Sequence, residues 1–440
     1  LGISGTNLTT TGNDIIVAGD GTKTVVGGDG SDGVTLGLGG HVVAGDNAQI
    51  TYVDAGAGQP VNDGKLLSVT TLDTVTSTGD GDTITLGDGN NVVLAGMGAD
   101  SITTGVGTDT ILGDNGIVQM DAQGGNLAQI STYSQPSTGG SLTDLGGNDT
   151  IAGGTGDKAV LGGDGTDSIT LSTGNHTVVG DNGTVTYVAL GQTGAGNILS
   201  YSTTDTLATT GGGDTVTLAD GNNVVLGGMG ADSITTTAGT DTILGDNGIV
   251  QMDAVGGNLA QIGTYSQPST GGSLTNLGGN DTIAGGAGDK AVLGGDGTDS
   301  ITLSTGNHTV VGDNGTVTYV ALGQAGAGNI LSYSTTDTVA ATGGGDTVTL
   351  ADGDNVVLGG TGNDTIGTAT GTDVIVGDGG TVTMDAGGMV QQTIVSTEPL
   401  LGGNDTVTAV DGTKTVIGGV GSDTVTLATG THYVAGDNAS

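Results

Sequence analysis

The chain has 440 residues, a formal net charge of −41, five lysines and no arginine. Nothing in it can neutralise a run of phosphates, which excludes nucleic acid and anionic membrane surfaces as partners. Ninety-five glycines and no Phe, Trp or Cys leave it without the aromatic bulk of a conventional multi-domain core and without disulfide staples.

No apolar run approaches the roughly 18 residues of a membrane span. The acid is almost all aspartate, Glu398 being the one glutamate. Such a composition often means disorder, but here the apolar residues are too regularly placed. The opening LGISGTNLTTTGND reads as the tail of a linking segment. With no leader and no initiating Met in view, a processed chain or a piece of a longer array is expected.

A nine-residue period then takes over. It runs through Ile16, Val25, Val34, Val43 and Tyr52, through Ile84, Val93, Ile102, Ile111 and Met120, and through Ile151, Val160, Ile169, Val178 and Tyr187. It recurs from Val216 to Met252, Ile283 to Tyr319, Val348 to Met384 and Val407 to Val434, apolar at every step. A period of nine fits no helix face. It fits a strand of about three residues and a Gly-rich turn of about six, two such halves closing one coil of about 18 residues. The flanking residues, as in TIT, SIT and TVT, point outward by strand alternation. The expected fold is therefore all-β: one continuous array forming a parallel β-roll, or β-solenoid.

The tetrads GDNG or GDNA at Gly45, Gly113, Gly180, Gly245, Gly312 and Gly436, with GDGG at Gly377, recur every 59 to 68 residues and mark seven repeats. Alternate repeats match best: the segment near residue 210 nearly copies the one 132 residues earlier. Solenoid blocks are expected over about 12–52, 79–120, 146–187, 211–252, 278–319, 343–384 and 402–440. Between them lie linking segments over about 53–78, 121–145, 188–210, 253–277, 320–342 and 385–401. These hold all four prolines (Pro60, Pro136, Pro268 and Pro399), off the ladder where Pro costs least. TVTYVALGQTGAGNILSYST at 184–203 reads as strand, Gly-rich turn, strand. A β-hairpin or loop protruding from one side of each repeat is expected.

Gly162–Thr170 reads GGDGTDSIT, a full match to G-G-x-G-x-D-x-U-x with U a large apolar residue. Full matches also start at Gly27, Gly227, Gly294, Gly359 and Gly418, and Ala95 starts one with a single Gly→Ala change. This resembles the repeats-in-toxin (RTX, haemolysin-type) calcium-binding nonapeptide, which implies calcium in the turns, U residues in the core and export by a one-step system.

The chemistry also follows from the residues. Ca²⁺ takes six to eight oxygens from carboxylates and carbonyls, and two Gly-rich turns stacked one coil apart can clamp one ion. Asp14/Asp32, Asp82/Asp100, Asp149/Asp167, Asp214/Asp232, Asp281/Asp299, Asp346/Asp364 and Asp405/Asp423 stand in that relation. The bland alternative is that each Asp merely caps its turn. On the opposite edge, three repeats place Asn91/Asp109, Asn223/Asp241 and Asn355/Asp373, which are expected to be weaker calcium sites. The other four place Lys23/His41, Lys158/His176, Lys290/His308 and Lys414/His432 there, a departure from the family pattern. Here a lysine ammonium is expected to replace a calcium ion by donating to turn carbonyls, since one His beside a Lys is poor zinc ligation. About ten ions would offset about half of the charge of −41. More could sit at the recurring GDN or GDG aspartates Asp46, Asp114, Asp181, Asp246, Asp313, Asp378 and Asp437.

The functional expectation is an extracellular or bacterial cell-surface structural protein that folds and assembles on binding calcium: a surface layer, filament or adhesin stalk. It is not expected to be an enzyme; Ser172 and Ser304 near His176 and His308 are the weak exceptions. Copies of itself, head-to-tail or lateral, are the first expected partners, with cell-surface glycans or other surface proteins as alternatives. The runner-up is a secretion and folding module of a larger toxin, enzyme or adhesin. Ice binding ranks lower, because only Thr361–Asp364 has the Thr and Asx form it would need.

Overall fold

The computed structural model describes residues 2–4, 12–54, 64–73, 79–134, 146–205, 210–268, 274–275, 278–397 and 400–439. They form two compact bodies, Leu1–Ala219 with Ala254–Gly257, and Asp220–Asp253 with Asn258–Ser440. Among the described residues there are strands and turns and no helix. Pro60, Pro136 and Pro399 lie outside the described residues; Gln267–Pro268 pairs with Leu274–Thr275.

Hydroxyl–apolar–hydroxyl triplets make the first sheet of the first body. Its parallel strands are Ile15–Ala18, Gly33–Leu36, Thr83–Leu86, Ser101–Thr104, Thr150–Gly153, Ser168–Leu171 and Thr215–Leu218. Ile84, Leu86 and Ile102 face inward and are buried, while Thr83, Thr85 and Ser101 face water. The second parallel sheet holds Thr24–Val26, Val42–Ala44, Val92–Gly96, Asp109–Asp114, Lys158–Leu161 and Thr177–Val179. The nine-residue lattice pairs with itself in register, Ile16 beside Val34 and Val25 beside Val43. Register also survives each linking segment: Val34 pairs with Ile84, and Ile102 with Ile151.

The linking segments form hairpins, as expected, but these do not stand apart from the roll. Ala48–Tyr52 with Leu66–Thr71, Gly116–Met120 with Leu127–Thr132, and Gly183–Tyr187 with Ile198–Thr203 pair edge to edge into one antiparallel sheet. Gly2–Ser4 joins it beside Ala48–Tyr52. Its buried residues Ile50, Val69, Val118, Ile130 and Val185 cover the second parallel sheet, whose strand Asp109–Asp114 is buried at every position. Each body is thus three layers deep, with the second sheet in the middle. At about 1.5–3 kcal/mol per fully buried Val, Leu or Ile, this third layer doubles the apolar stabilisation available to each middle strand. The second body repeats the plan, its hairpins starting at Gly248–Met252, Gly315–Tyr319 and Gly380–Met384.

Candidate metal centres

Each coil has two turns. The first leads from the middle sheet into the outer parallel sheet, and Gly162–Asp167 is one example, with Gly163 and Gly165 at φ of 118° and 108°, a region that favours glycine. Here the expected aspartates stack, and their stack is longer than pairs. The N–H of Asp14 donates to Asp32 Oδ1, and so on through Asp82, Asp100, Asp149, Asp167 and Asp214 at 2.6–2.8 Å. In the second body the same ladder runs from Asp232 through Asp281, Asp299, Asp346, Asp364 and Asp405 to Asp423 at 2.8–3.0 Å. Asp214 and Asp232 belong to different bodies.

The ladder consumes Oδ1 only. The Oδ2 atoms of Asp32, Asp82, Asp100, Asp281, Asp299, Asp346, Asp364 and Asp405 are buried without a hydrogen-bond partner. All but Asp100, whose turn carries Ala95 at that place, aim at the first glycine of a turn. A Cβ on Gly27 would collide with Asp32 Oδ2 and the Gly45 carbonyl, and one on Gly294 with Asp299 Oδ2 and the Gly312 carbonyl. At these glycines a carboxylate oxygen and a carbonyl oxygen of the next coil therefore converge on a space that a Cβ would fill. Burial lifts Asp82 and Asp405 to about 7, and their nearest charged neighbours are other aspartates. Isolated buried carboxylates cost several kcal/mol each, on the order of the penalty for unpaired buried ions, so this row calls for cations. Among the described residues no three His, Cys, Asp or Glu side chains converge on a metal. One carboxylate per turn with backbone carbonyls suits calcium, which accepts such oxygens, and not zinc.

The sequence model of the RTX calcium-binding nonapeptide repeat (four copies) matches residues 8–40, 76–111, 143–178, 201–234, 219–251, 277–310 and 333–366. The chain belongs to this family. It is accordingly a calcium-binding repeat protein, and calcium is the cation the ladder fits. No curated protein and no solved structure matches the chain.

The RTX turn also explains the hairpins. Gly162 and Gly163 stack on the strand end before Asp181, donating to Val179 O and Gly180 O, whereas Gly165 bridges to Gly211 beyond the hairpin. Gly180–Asn182 and the stretch ending at Asp214 are therefore two halves of one nonapeptide-like turn, and the hairpin is inserted between them. Reading each GDN tetrad as a turn of its own hides this. The same reading misses Asp205 and Asp337, which return from the hairpin to accept the N–H and amide of Asn182 and Asn314. The recurring dipeptide DT after the second hairpin strand is their signal.

On the opposite edge the expected acids meet lysines. Asp109, Asp241 and Asp373, expected as calcium ligands, are each held by a lysine: Lys158 at 3.1 Å, Lys290 at 3.0 Å and Lys414 at 2.5 Å, all with fully buried side chains. The ammonium also donates to turn carbonyls, Ala369 and Gly371 at 2.8 and 3.1 Å for Lys414. Asn91, Asn223 and Asn355 donate their amides to the same carboxylates at 2.9–3.0 Å. At the first coil Lys23 meets carbonyls alone, those of Asp20 and Gly21.

Three of the histidines take the aspartate's place in the ladder. His41, His176 and His308 accept the N–H of Lys23, Lys158 and Lys290 at Nδ1, and Nε2 faces the carbonyls of Gly37, Ser172 and Ser304. This needs the neutral Nε2–H tautomer, and burial lowers the pKa of His176 and His308 accordingly. The imidazoles thus face backbone carbonyls, not the Ser172 and Ser304 hydroxyls.

The cradle gives a direct test. Gly294→Ala is expected to raise the calcium concentration for half-folding about tenfold, since overpacking costs about 1–3 kcal/mol. Gly19→Ala, with open space at its Cβ, should leave it unchanged. Equal midpoints in a titration followed by circular dichroism would remove the cradle from the calcium site.

Proposed function

We propose that this RTX chain is an extracellular structural protein, an element of a surface layer, filament or adhesin stalk, that folds and assembles when it binds calcium. The observation that carries this reading is the row of buried Oδ2 atoms, which no lysine approaches. Cytosolic calcium is too dilute for weak sites, whereas extracellular modules work near 10⁻⁴–10⁻³ M, by order of magnitude. Near-identical coils offer a repeated surface instead of one cleft. Their outward turns also carry exposed aspartates at regular places (Asp88, Asp157, Asp220, Asp289 and Asp352) that calcium could bridge between copies.

The test is a calcium titration of the EDTA-stripped chain, followed by circular dichroism and light scattering. A cooperative gain of β signal near millimolar calcium, then growth of ordered assemblies, is the expected result. Folding with no assembly at any calcium concentration would replace the polymer by a monomeric stalk or a secretion module.

A further inference from the structure

The GDN aspartates are not alike. Asp313 accepts the Gly344 N–H at Oδ1 and the Thr361 N–H at Oδ2, and Asp378 accepts the Gly403 and Val420 N–H groups in the same way. Their carboxylates are satisfied by backbone. Asp114 and Asp246 accept only at Oδ2, from the N–H of Asp164 and Asp296, and their Oδ1 atoms are buried without a partner in residues only 2% exposed. The Oδ1 atoms of the adjoining Asn115 and Asn247 are likewise buried without a partner.

The Oδ1 of Asp46, which faces Met97, is also buried without a partner, but at Asp114 and Asp246 the facing nonapeptide adds a carboxylate at its third position, Asp164 or Asp296, where Asp313 and Asp378 face Thr361 and Val420. Asp114 thereby lies within electrostatic reach of Asp100, Asp149, Asp164 and Asp167, and Asp246 of Asp232, Asp281, Asp296 and Asp299. Burial, followed by repulsion from these four neighbouring aspartates, raises the pKa of Asp114 and Asp246.

We propose that Asp114 and Asp246 each complete an additional site for a hard divalent cation, calcium, that is tighter than the ladder sites and locks a hairpin to the roll. The locking follows from the neighbours. Ser134 and Ser266, just beyond the hairpin strands Leu127–Thr132 and Leu259–Thr264, donate their hydroxyls to Asp164 and Asp296. On the other side, a Cβ on Gly146 or Gly278, where the chain returns to the roll, would collide with the carboxylate of Asp114 or Asp246. A cation in the pocket is held by the outgoing turn and faces the returning one, so ion binding and hairpin docking become one event. Ligand charge count is a main determinant of calcium affinity, which puts these two pockets first in the order of filling. The inference rests on the calcium-dependent structural reading above.

Isothermal titration of the full EDTA-stripped chain with calcium should show a first phase of two ions ahead of the ladder sites. In the double variant Asp114→Asn/Asp246→Asn that phase is expected to weaken about tenfold or vanish, by loss of one charge per site. Amide exchange in Leu127–Thr132 and Leu259–Thr264 should rise with it, while the later phase stays. Asp313→Asn should leave the first phase intact. An unchanged first phase in the double variant, or equal loss in Asp313→Asn, overturns the proposal. If the double variant fails to fold in saturating calcium, Asp164→Asn/Asp296→Asn replaces it: loss of the first phase supports the proposal and an unchanged first phase overturns it. A wild-type chain with one uniform class of sites overturns this inference alone; one that takes up no calcium overturns the calcium-dependent reading beneath it as well.

Discussion

Held in chelator near neutral pH, the chain is expected to lose most of its β-structure, and to recover much of it, still without calcium, as the pH is lowered toward 4. Burial and then neighbouring aspartates push Asp46 up to about 10 from an ordinary 3.8, and burial brings Asp82 and Asp405 to about 7 and Asp205 and Asp378 to about 6. A carboxyl whose pKa is raised by folding holds a proton in the folded state that the unfolded chain releases. Its stabilising contribution is complete below about pH 4 and is lost as the pH rises through about 6 to 10. Each tenfold gain in proton affinity on folding corresponds to about 1.4 kcal/mol, so a few such groups exceed the roughly 5–15 kcal/mol of a typical fold. Saturating calcium inverts the trend, because protons then compete with the cation for the same oxygens. Circular dichroism between pH 4 and 8, with EDTA and with excess calcium, measures both limbs. A chelated chain that is fully folded at pH 8 would refute this expectation.

The second large effect concerns the edge that carries its own cations. Lys158→Met in the calcium-loaded protein is expected to cost about 3–5 kcal/mol, the usual penalty for stranding one partner of a buried ion pair. Lys158 Nζ lies 3.1 Å from Asp109, and neither side chain is exposed. Methionine keeps the volume and removes the charge, leaving Asp109 with the backbone N–H and side-chain amide of Asn91. Adding Asp109→Asn should restore most of the loss, since replacing both charges of a buried pair is often close to neutral. Urea unfolding of the two variants decides this: a Lys158→Met cost under about 0.5 kcal/mol, the scale of ordinary surface changes, would make the pair incidental.

The parts of this architecture that repeat at short range are legible in the sequence. The lattice through Ile151, Val160 and Ile169 specifies strand, turn and coil, and Asp149/Asp167 announces stacking one coil apart. What escapes reading spans the hairpins. Asp100 bonds to Asp149 across 49 residues as readily as Asp82 to Asp100 across 18, yet only the shorter interval is periodic. Lys158 and Asp109 each stand in a recognisable turn slot, but their separation of 49 positions hides that one neutralises the other. The third layer does leave a trace: middle strands carry apolar doublets such as Val93–Leu94 and Ile111–Leu112, where outer strands alternate with Thr. A strand covered on both faces cannot alternate.

Along the lysine edge the chain order is Lys, His, Asn, Asp, and then Lys again. This sequence closes on itself only every second repeat. Removing or duplicating a single repeat would set Lys158 or its counterpart beside a histidine, with no carboxylate to receive it, or set two Asn–Asp coils together with one acid unpaired. A two-repeat block can be gained or lost without any such fault. Recombination among near-identical segments would therefore keep every buried lysine–aspartate pair only in even steps, of 132 residues at a time.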